Sequence, residues 1–159
     1  MRSPLALAVA FATLIAAPLL AGPPWISIEY PVNPYDSRAR GAVLLVHAFH
    51  HGTEIDDAPV TGTAEGLVNG QRKSVRLEFT RTSRPAVFAL RNQWGTAGEW
   101  TLVISVASSH QTQAEAAQAL VRISGDRILS VEVPTRQANG YSFPRPITSE
   151  EIEASLKGR

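Results

Sequence analysis

Three of the four histidines of this chain lie close together in the sequence, as His47, His50 and His51. Glu54 follows three residues after the last of them. Imidazole nitrogen is a common ligand of Cu(II), Zn(II) and Ni(II), and a carboxylate can complete the coordination of such an ion. His47, His50, His51 and Glu54 therefore form a candidate metal site for copper or zinc.

Two other interpretations of the histidine cluster remain open. His47 can be a half-buried strand residue that bonds to the backbone, with His50 and His51 solvated in a loop. Neutral imidazoles beside carboxylates also titrate near physiological pH, so the loop can act as a proton sensor. On an extended strand His47 and His50 point to opposite faces. The metal site therefore requires the strand to end near Phe49, so that His50 and His51 curl towards Glu54.

Other catalytic signatures are missing from the sequence. The chain has neither the G-x-S-x-G elbow of hydrolases nor the H-E-x-x-H motif of zinc proteases. Ser108 and Ser109 lie beside His110, but no neighbouring acidic residue is placed to orient that imidazole. The chain has no cysteine and its only methionine is Met1, so thiolate and thioether ligands are also excluded. We therefore predict that the protein is not an enzyme.

The first 22 residues have the pattern of a secretory signal peptide. Arg2 is followed by an apolar run from Pro4 to Leu20 and then by the small residues Ala21 and Gly22. This order of charged, apolar and small residues predicts export, and hence a periplasmic or secreted protein. The apolar segment is also just long enough for a membrane anchor if it is not cleaved. Only in that case do we expect the protein to contact a membrane.

The charge balance argues against nucleic acid as a partner. Fifteen Lys and Arg residues against fourteen Asp and Glu residues give a formal net charge of +1. Binding to nucleic acid requires a dense basic surface, which this composition does not provide. We predict instead a binding or accessory domain of the cell envelope, whose partner is another envelope protein. Without cysteines, the fold must be stabilised by burial, which a chain of this length permits.

From residue 24 onward, apolar and polar residues alternate at the spacing of an all-β protein. Gly62 and Gly66 lie inside one predicted strand and indicate a bulge or a close backbone approach. Asn69-Gly70 predicts a hairpin turn, because both residues tolerate positive φ. The pattern predicts an immunoglobulin-like antiparallel β-sandwich of seven or eight strands over residues 23–134. The expected strands are 25–30, 42–49, 60–68, 74–82, 86–94, 99–106, 116–123 and 127–133.

The remaining residues, 135–159, are expected to form a proline-containing linker and a short amphipathic helix. Thr148 and Glu151 have the spacing of a capping box, and Ile152 and Leu156 lie on one face of the helix. A helix this short is not stable alone. It therefore docks on the domain, binds a partner, or frays at its end.

The three tryptophans have different expected positions. Trp25 and Trp100 are expected to pack in the core or at a sheet edge. Trp94, which precedes a glycine-bracketed turn, is expected to be partly exposed. Together with Tyr35 or Tyr141 it could form a small aromatic binding platform, but packing in the core is the favoured alternative.

The segment from Val60 to Val106 resembles the YtkA/FixH-like group of small extracytoplasmic β-sandwich domains. The matching residues are Val60-Thr61-Gly62, Pro85-Ala86-Val87-Phe88 and Gly98-Glu99-Trp100-Thr101-Leu102-Val103-Ile104. The chain departs from the group at Ala86 and Phe88, which replace Gly and Tyr, and in its C-terminal segment. The resemblance implies a sandwich fold. Some members are linked to copper handling or oxidase assembly, an association that only the histidine cluster could carry in this methionine-poor chain.

Overall fold

The computed structural model describes residues 24–50, 52–107 and 115–158. The predicted signal peptide, His51, residues 108–114 around His110, and Arg159 lie outside these ranges. The described chain is mostly β-strand, with a single-turn 3-10 helix at Ser37–Ala39 and an α-helix, α1, at Ser149–Leu156. The strands are β1 (Pro24–Glu29), β2 (Leu44–His50), β3 (Thr53–Glu54), β4 (Val60–Val68), β5 (Gln71–Arg76), β6 (Phe79–Arg81), β7 (Val87–Leu90), β8 (Glu99–Val106), β9 (Ala117–Ser124), β10 (Arg127–Glu132), β11 (Thr135–Ala138) and β12 (Tyr141–Pro144).

Two antiparallel sheets pack face to face, which confirms the predicted all-β sandwich. The first sheet has the order β1-β2-β7-β6, with β3 paired to β2. The second sheet has the order β10-β9-β8-β4-β5. The core between them is built from the inward positions of both sheets, because alternate residues of a strand point to opposite faces. Its fully buried members include Ile26, Leu44, Val46, Ala48, Leu90, Leu102, Ile104, Val106 and Val121.

The close backbone approach expected at the strand glycines is confirmed. A Cβ added to Gly66 would lie 2.5 Å from the Trp100 ring, and one added to Gly62 would lie 2.7 Å from the Val103 carbonyl oxygen. Trp100, opposite Gly66 in the β4–β8 register, is 3% exposed. The indole therefore occupies the space that a side chain at Gly66 would need.

The strand predicted over residues 74–82 is wrong in one respect. The chain leaves the second sheet after Arg76 and enters the first sheet at Phe79, so this segment forms parts of β5 and β6. The Gln93 side chain bonds to both the amide and the carbonyl of Glu78, at 2.8 Å each. It replaces a strand partner at the crossing, while Leu77 stays buried in the core.

The linker expected after residue 134 contains a β-hairpin instead. Strands β11 and β12 pair around Asn139 and Gly140, whose φ angles are 52° and 79°. These two residues are a second Asn-Gly turn, like Asn69-Gly70 at 52° and 75°. Arg136 also lies over the ring of Phe143, its partner in register, at 5.3 Å. Strands β3, β11 and β12 and the division of residues 74–82 between β5 and β6 bring the total in the described ranges to twelve, above the predicted seven or eight.

Helix α1 docks on the outer face of the second sheet. The Oγ atoms of Ser155 and Thr101 are 2.7 Å apart and both residues are buried. Glu153 pairs with Arg72 of β5. The predicted capping box is present, since Thr148 Oγ1 accepts from the Glu151 amide and the Glu151 carboxylate accepts from the Thr148 amide. Of the three outcomes considered for the tail, the helix docks on its own domain.

The partial exposure expected for Trp94 is wrong, and the favoured alternative, packing in the core, is confirmed. Trp94 is only 7% exposed, because the turn at Asn92 folds it into the core. The Asn92 side chain accepts hydrogen bonds from the Trp94 and Gly95 amides and so closes that turn. The tryptophan with an exposed ring is Trp25, on strand β1.

Candidate functional site

The outer face of the first sheet is covered at one end and open at the other. At the covered end, Leu45, Val87 and Ala89 form a small second core with Ala39 of the 3-10 helix. At the open end, Trp25 of β1 lies directly opposite Phe49 of β2 and is 38% exposed. The segment between β1 and β2 therefore covers only half of this face.

Three rings make up the open half, and we call Trp25, His47 and Phe49 the aromatic patch. The rings of His47 and Phe49 are nearly parallel, at 6° between their planes, with centroids 6.2 Å apart. They lie on the same face because they are two residues apart on β2. Trp25 is placed beside them by the β1–β2 register. The alternation of two strands thus assembles a surface that neither strand forms alone.

An ionic cluster borders the aromatic patch. One carboxylate oxygen of Glu29 accepts from His47 Nε2 at 2.8 Å and from Arg84 Nη1 at 3.1 Å. The same Arg84 nitrogen lies 3.8 Å from an Asp36 carboxylate oxygen. Three separate segments of the chain meet here, and Glu29, His47, Arg84 and Asp36 are each only partly exposed. Charge-assisted bonds of this kind hold the His47 ring in one orientation.

The predicted metal ligands are only partly brought together. β2 continues to His50, and β3 returns with Phe49 opposite Glu54 and His50 opposite Thr53. Glu54 therefore lies on the face of His47 and Phe49, whereas His50 lies on the other face, because directly paired residues share a face. His51 lies outside the described residues, which contain no group of three His, Asp or Glu side chains able to hold a metal. The four-residue metal site stays a prediction.

Sequence reasoning missed three residues of this site. Trp25 and Glu29 alternate on one face of β1, so their shared face was readable from the sequence. Their pairing with His47 depends on the β1–β2 register, which no local pattern specifies. Arg84 comes from the turn before β7, and only the tertiary fold brings it to Glu29.

The turn before β7 contains a strained residue. Ala86 has a φ of 52°, in a region that favours glycine. The Ala86 amide donates to Asp56 Oδ1 at 2.6 Å, and its carbonyl accepts from the Ala48 amide at 3.1 Å. These bonds attach the turn to the end of β2 and so support the position of Arg84.

Comparisons with known proteins add no relative. No protein-family model, no curated protein sequence and no solved structure matches this chain. In the part of the chain that the structure describes, no helix is both long and apolar enough to span a membrane. The arguments for function therefore rest on the geometry of the chain itself.

Proposed function

We propose that the protein is a non-enzymatic binding domain of the cell envelope that engages another envelope protein through the aromatic patch and the adjoining edge of β1. The observation that carries this proposal is the exposed indole of Trp25 on an edge strand, opposite Phe49. Its periplasmic or secreted location rests on the predicted signal peptide.

Two physical properties of this surface suit a protein partner. Tryptophan is enriched at the centres of protein interfaces, since a rigid ring buries a large area at a low entropic cost. In the described part of the chain β1 pairs only with β2, so its outer backbone edge can accept a further strand. The patch therefore offers an aromatic anchor and a row of main-chain hydrogen bonds side by side.

The ionic cluster would determine the orientation in which a partner binds to this surface. Glu29, His47 and Arg84 are linked to one another, so they present fixed polar groups beside the rings. Polar groups at the rim of an interface contribute specificity more than affinity. The C-terminal helix does not belong to this surface, because α1 is docked on the second sheet.

The proposal is tested by site-specific photo-crosslinking in cells that naturally produce the protein. A photoreactive residue at Ser27, which lies exposed between Trp25 and Glu29 on the same face of β1, should capture one defined envelope protein. The same residue at Ser74, exposed on β5 of the other sheet, is the matched control and should not. Trp25→Ala should abolish the crosslink at Ser27, whereas Tyr35→Ala, which removes an exposed ring elsewhere, should leave it. Equal crosslinking at both positions, or none, would contradict the proposal.

Metal binding is a second candidate, and one contact favours it. Because Glu29 accepts a hydrogen bond from His47 Nε2, a neutral His47 ring carries its free electron pair on Nδ1. Carboxylates orient metal-binding histidines in this way. Glu54 lies on the same face of the sheet as His47. His50 and His51 are the other predicted ligands for copper or zinc, and binding through them requires the end of β2 to turn His50 towards that face.

A thermal-shift series tests metal binding. If the site exists, Cu(II) or Zn(II) at 100 times its dissociation constant should stabilise the protein by about 2.7 kcal/mol relative to a chelated sample. His50→Ala combined with His51→Ala should erase that shift, and the control His110→Ala should keep it. A melting temperature that no metal raises, or that the double substitution leaves equally raised, would remove this candidate.

A further inference from the structure

The outer face of the second sheet carries a groove that the proposed function does not use. Helix α1 covers the half of this face around Thr101, and the other half is open. The open half is a shallow groove of about 450 Å³. Its side chains come from four strands: Thr61, Thr63, Arg76, Val103, Ser105 and Gln118.

The groove contains one cationic side chain without a carboxylate partner. Arg76 lies opposite Thr63 at the end of β5, and within the described ranges it forms no ion pair. Arg72, on the same strand and the same face, is by contrast paired with both Glu65 and Glu153. The guanidinium of Arg76 is therefore available to a ligand on the groove side.

The floor of the groove is held in place by hydrogen bonds. Gln118 donates from Nε2 to Ser105 Oγ at 3.0 Å and accepts at Oε1 from the Ile147 amide at 2.7 Å. Ser105 is itself only 4% exposed. The segment that leads into α1 is thus attached to Gln118, and the side-chain amide of Gln118 is fixed at the base of the groove.

We propose that this groove binds a small ligand that carries a carboxylate and a short apolar group, about the size of an acylated amino acid. One guanidinium pairs with one carboxylate through two parallel hydrogen bonds. The Thr63 hydroxyl beside it can bond to a further polar atom of the ligand, and Val103 provides an apolar floor. A phosphate group fits less well, because its higher charge would call for more than the single cationic side chain present.

Titration of the 15N-labelled protein with N-acetylalanine, followed by NMR, tests this proposal. We expect saturable shifts of the Thr63, Ser105 and Gln118 signals. Arg76→Ala should weaken binding about tenfold or more, since it removes a charge-assisted hydrogen bond. The affinity of Arg76→Lys should lie between those of Arg76→Ala and the original protein, because lysine keeps the positive charge but lacks the planar guanidinium. Arg127→Ala, which removes an exposed arginine on the opposite edge of the sheet, is the matched control and should bind like the original protein.

Two further ligands test which chemical group the groove recognises. N-acetylalaninamide lacks the carboxylate and should not bind, and inorganic phosphate should bind more weakly than N-acetylalanine. Equal affinity of Arg76→Ala and the original protein would overturn the proposal, as would equal binding of the amide or tighter binding of phosphate. Because Arg76 is exposed on an edge strand, its substitution should leave the rest of the NMR spectrum unchanged. Lost binding can then be attributed to the missing guanidinium and not to unfolding.

Discussion

The hydroxyl groups of Thr101 and Ser155 form the buried contact that fixes α1 on the second sheet. Their Oγ atoms are 2.7 Å apart, Thr101 is fully buried and Ser155 is 6% exposed. Ser155→Ala removes one hydroxyl and leaves the Thr101 hydroxyl without a partner away from water. An orphaned buried hydroxyl costs about 1–3 kcal/mol.

The double substitution should be less harmful than either single one. Thr101→Val and Ser155→Ala together replace both hydroxyls with apolar groups of similar shape, so no buried polar atom is left unpaired. Such a replacement is close to neutral. We therefore expect each single variant to lose about 1–3 kcal/mol of unfolding free energy, and the double variant to recover most of that loss.

Urea unfolding measures this effect directly. The midpoint should fall at constant slope for each single variant and return towards the original value for the double variant. By calorimetry, a loss of 1 kcal/mol corresponds to a fall in the melting temperature of roughly 3–5 °C in a domain of this size. Ser149→Ala is the matched control, because it removes an exposed hydroxyl from the same helix and should change stability by less than about 0.5 kcal/mol.

Two results would refute the reasoning. If Ser155→Ala costs nothing, the helix does not depend on this contact. If the losses of the two single variants simply add in the double variant, the hydroxyls are not coupled. The first result would indicate that the tail is not docked through this contact in solution, and the second that each hydroxyl stabilises the protein independently of the other.

Two further predictions concern packing and pH. Gly66→Ala should lower the unfolding free energy by about 1–3 kcal/mol, because the added methyl group overlaps the Trp100 ring. In a Trp100→Leu background this loss should disappear. Equal losses in both backgrounds, measured by urea unfolding, would disprove the overlap. The ion pair with Arg145, at 2.6 Å, lowers the pKa of Glu151 from 4.5 to about 2. Its stabilisation is therefore complete above pH 5 and is lost as the pH falls towards 2. Glu151→Gln should lower the unfolding free energy by about 1 kcal/mol at pH 7, a value reduced by solvent screening, and should have no effect near pH 2. Thermal melts over this pH range should therefore show the variant and the original protein approaching the same stability in acid. The exposed control Glu150→Gln should show no such pH-dependent difference.

Local patterns were sufficient for most of the sandwich. β8 lies where the alternation of Trp100, Leu102 and Ile104 placed it. The Asn69-Gly70 turn and the capping box at Thr148 also formed as expected, because both depend on residues that are neighbours in the sequence. One error was local, because the Asn139-Gly140 turn of the second hairpin was readable from the sequence and was missed. The error at residues 74–82 arose because that segment depends on a distant one. Strand β5 ends at Arg76, just before Glu78 bonds to the Gln93 side chain. Nothing in the sequence of the strand itself predicts that bond.

The same distinction between local and distant contacts applies to the candidate site. The sequence by itself determined that the chain folds as a β-sandwich, because burial with a period of two is a local property of each strand. It also identified His47, His50, His51 and Glu54 as residues with metal-binding chemistry. Only the tertiary structure decided which of these side chains meet. The β1–β2 register places Glu29 close enough for its carboxylate to bond to His47 Nε2. Strand β3 places Glu54 on the face of the sheet that His50 does not share, and the packing of α1 leaves one groove open around Arg76. The physical reason is that strand register and sheet packing are determined by the sum of many weak distant contacts, whereas alternation and turns are determined by adjacent residues.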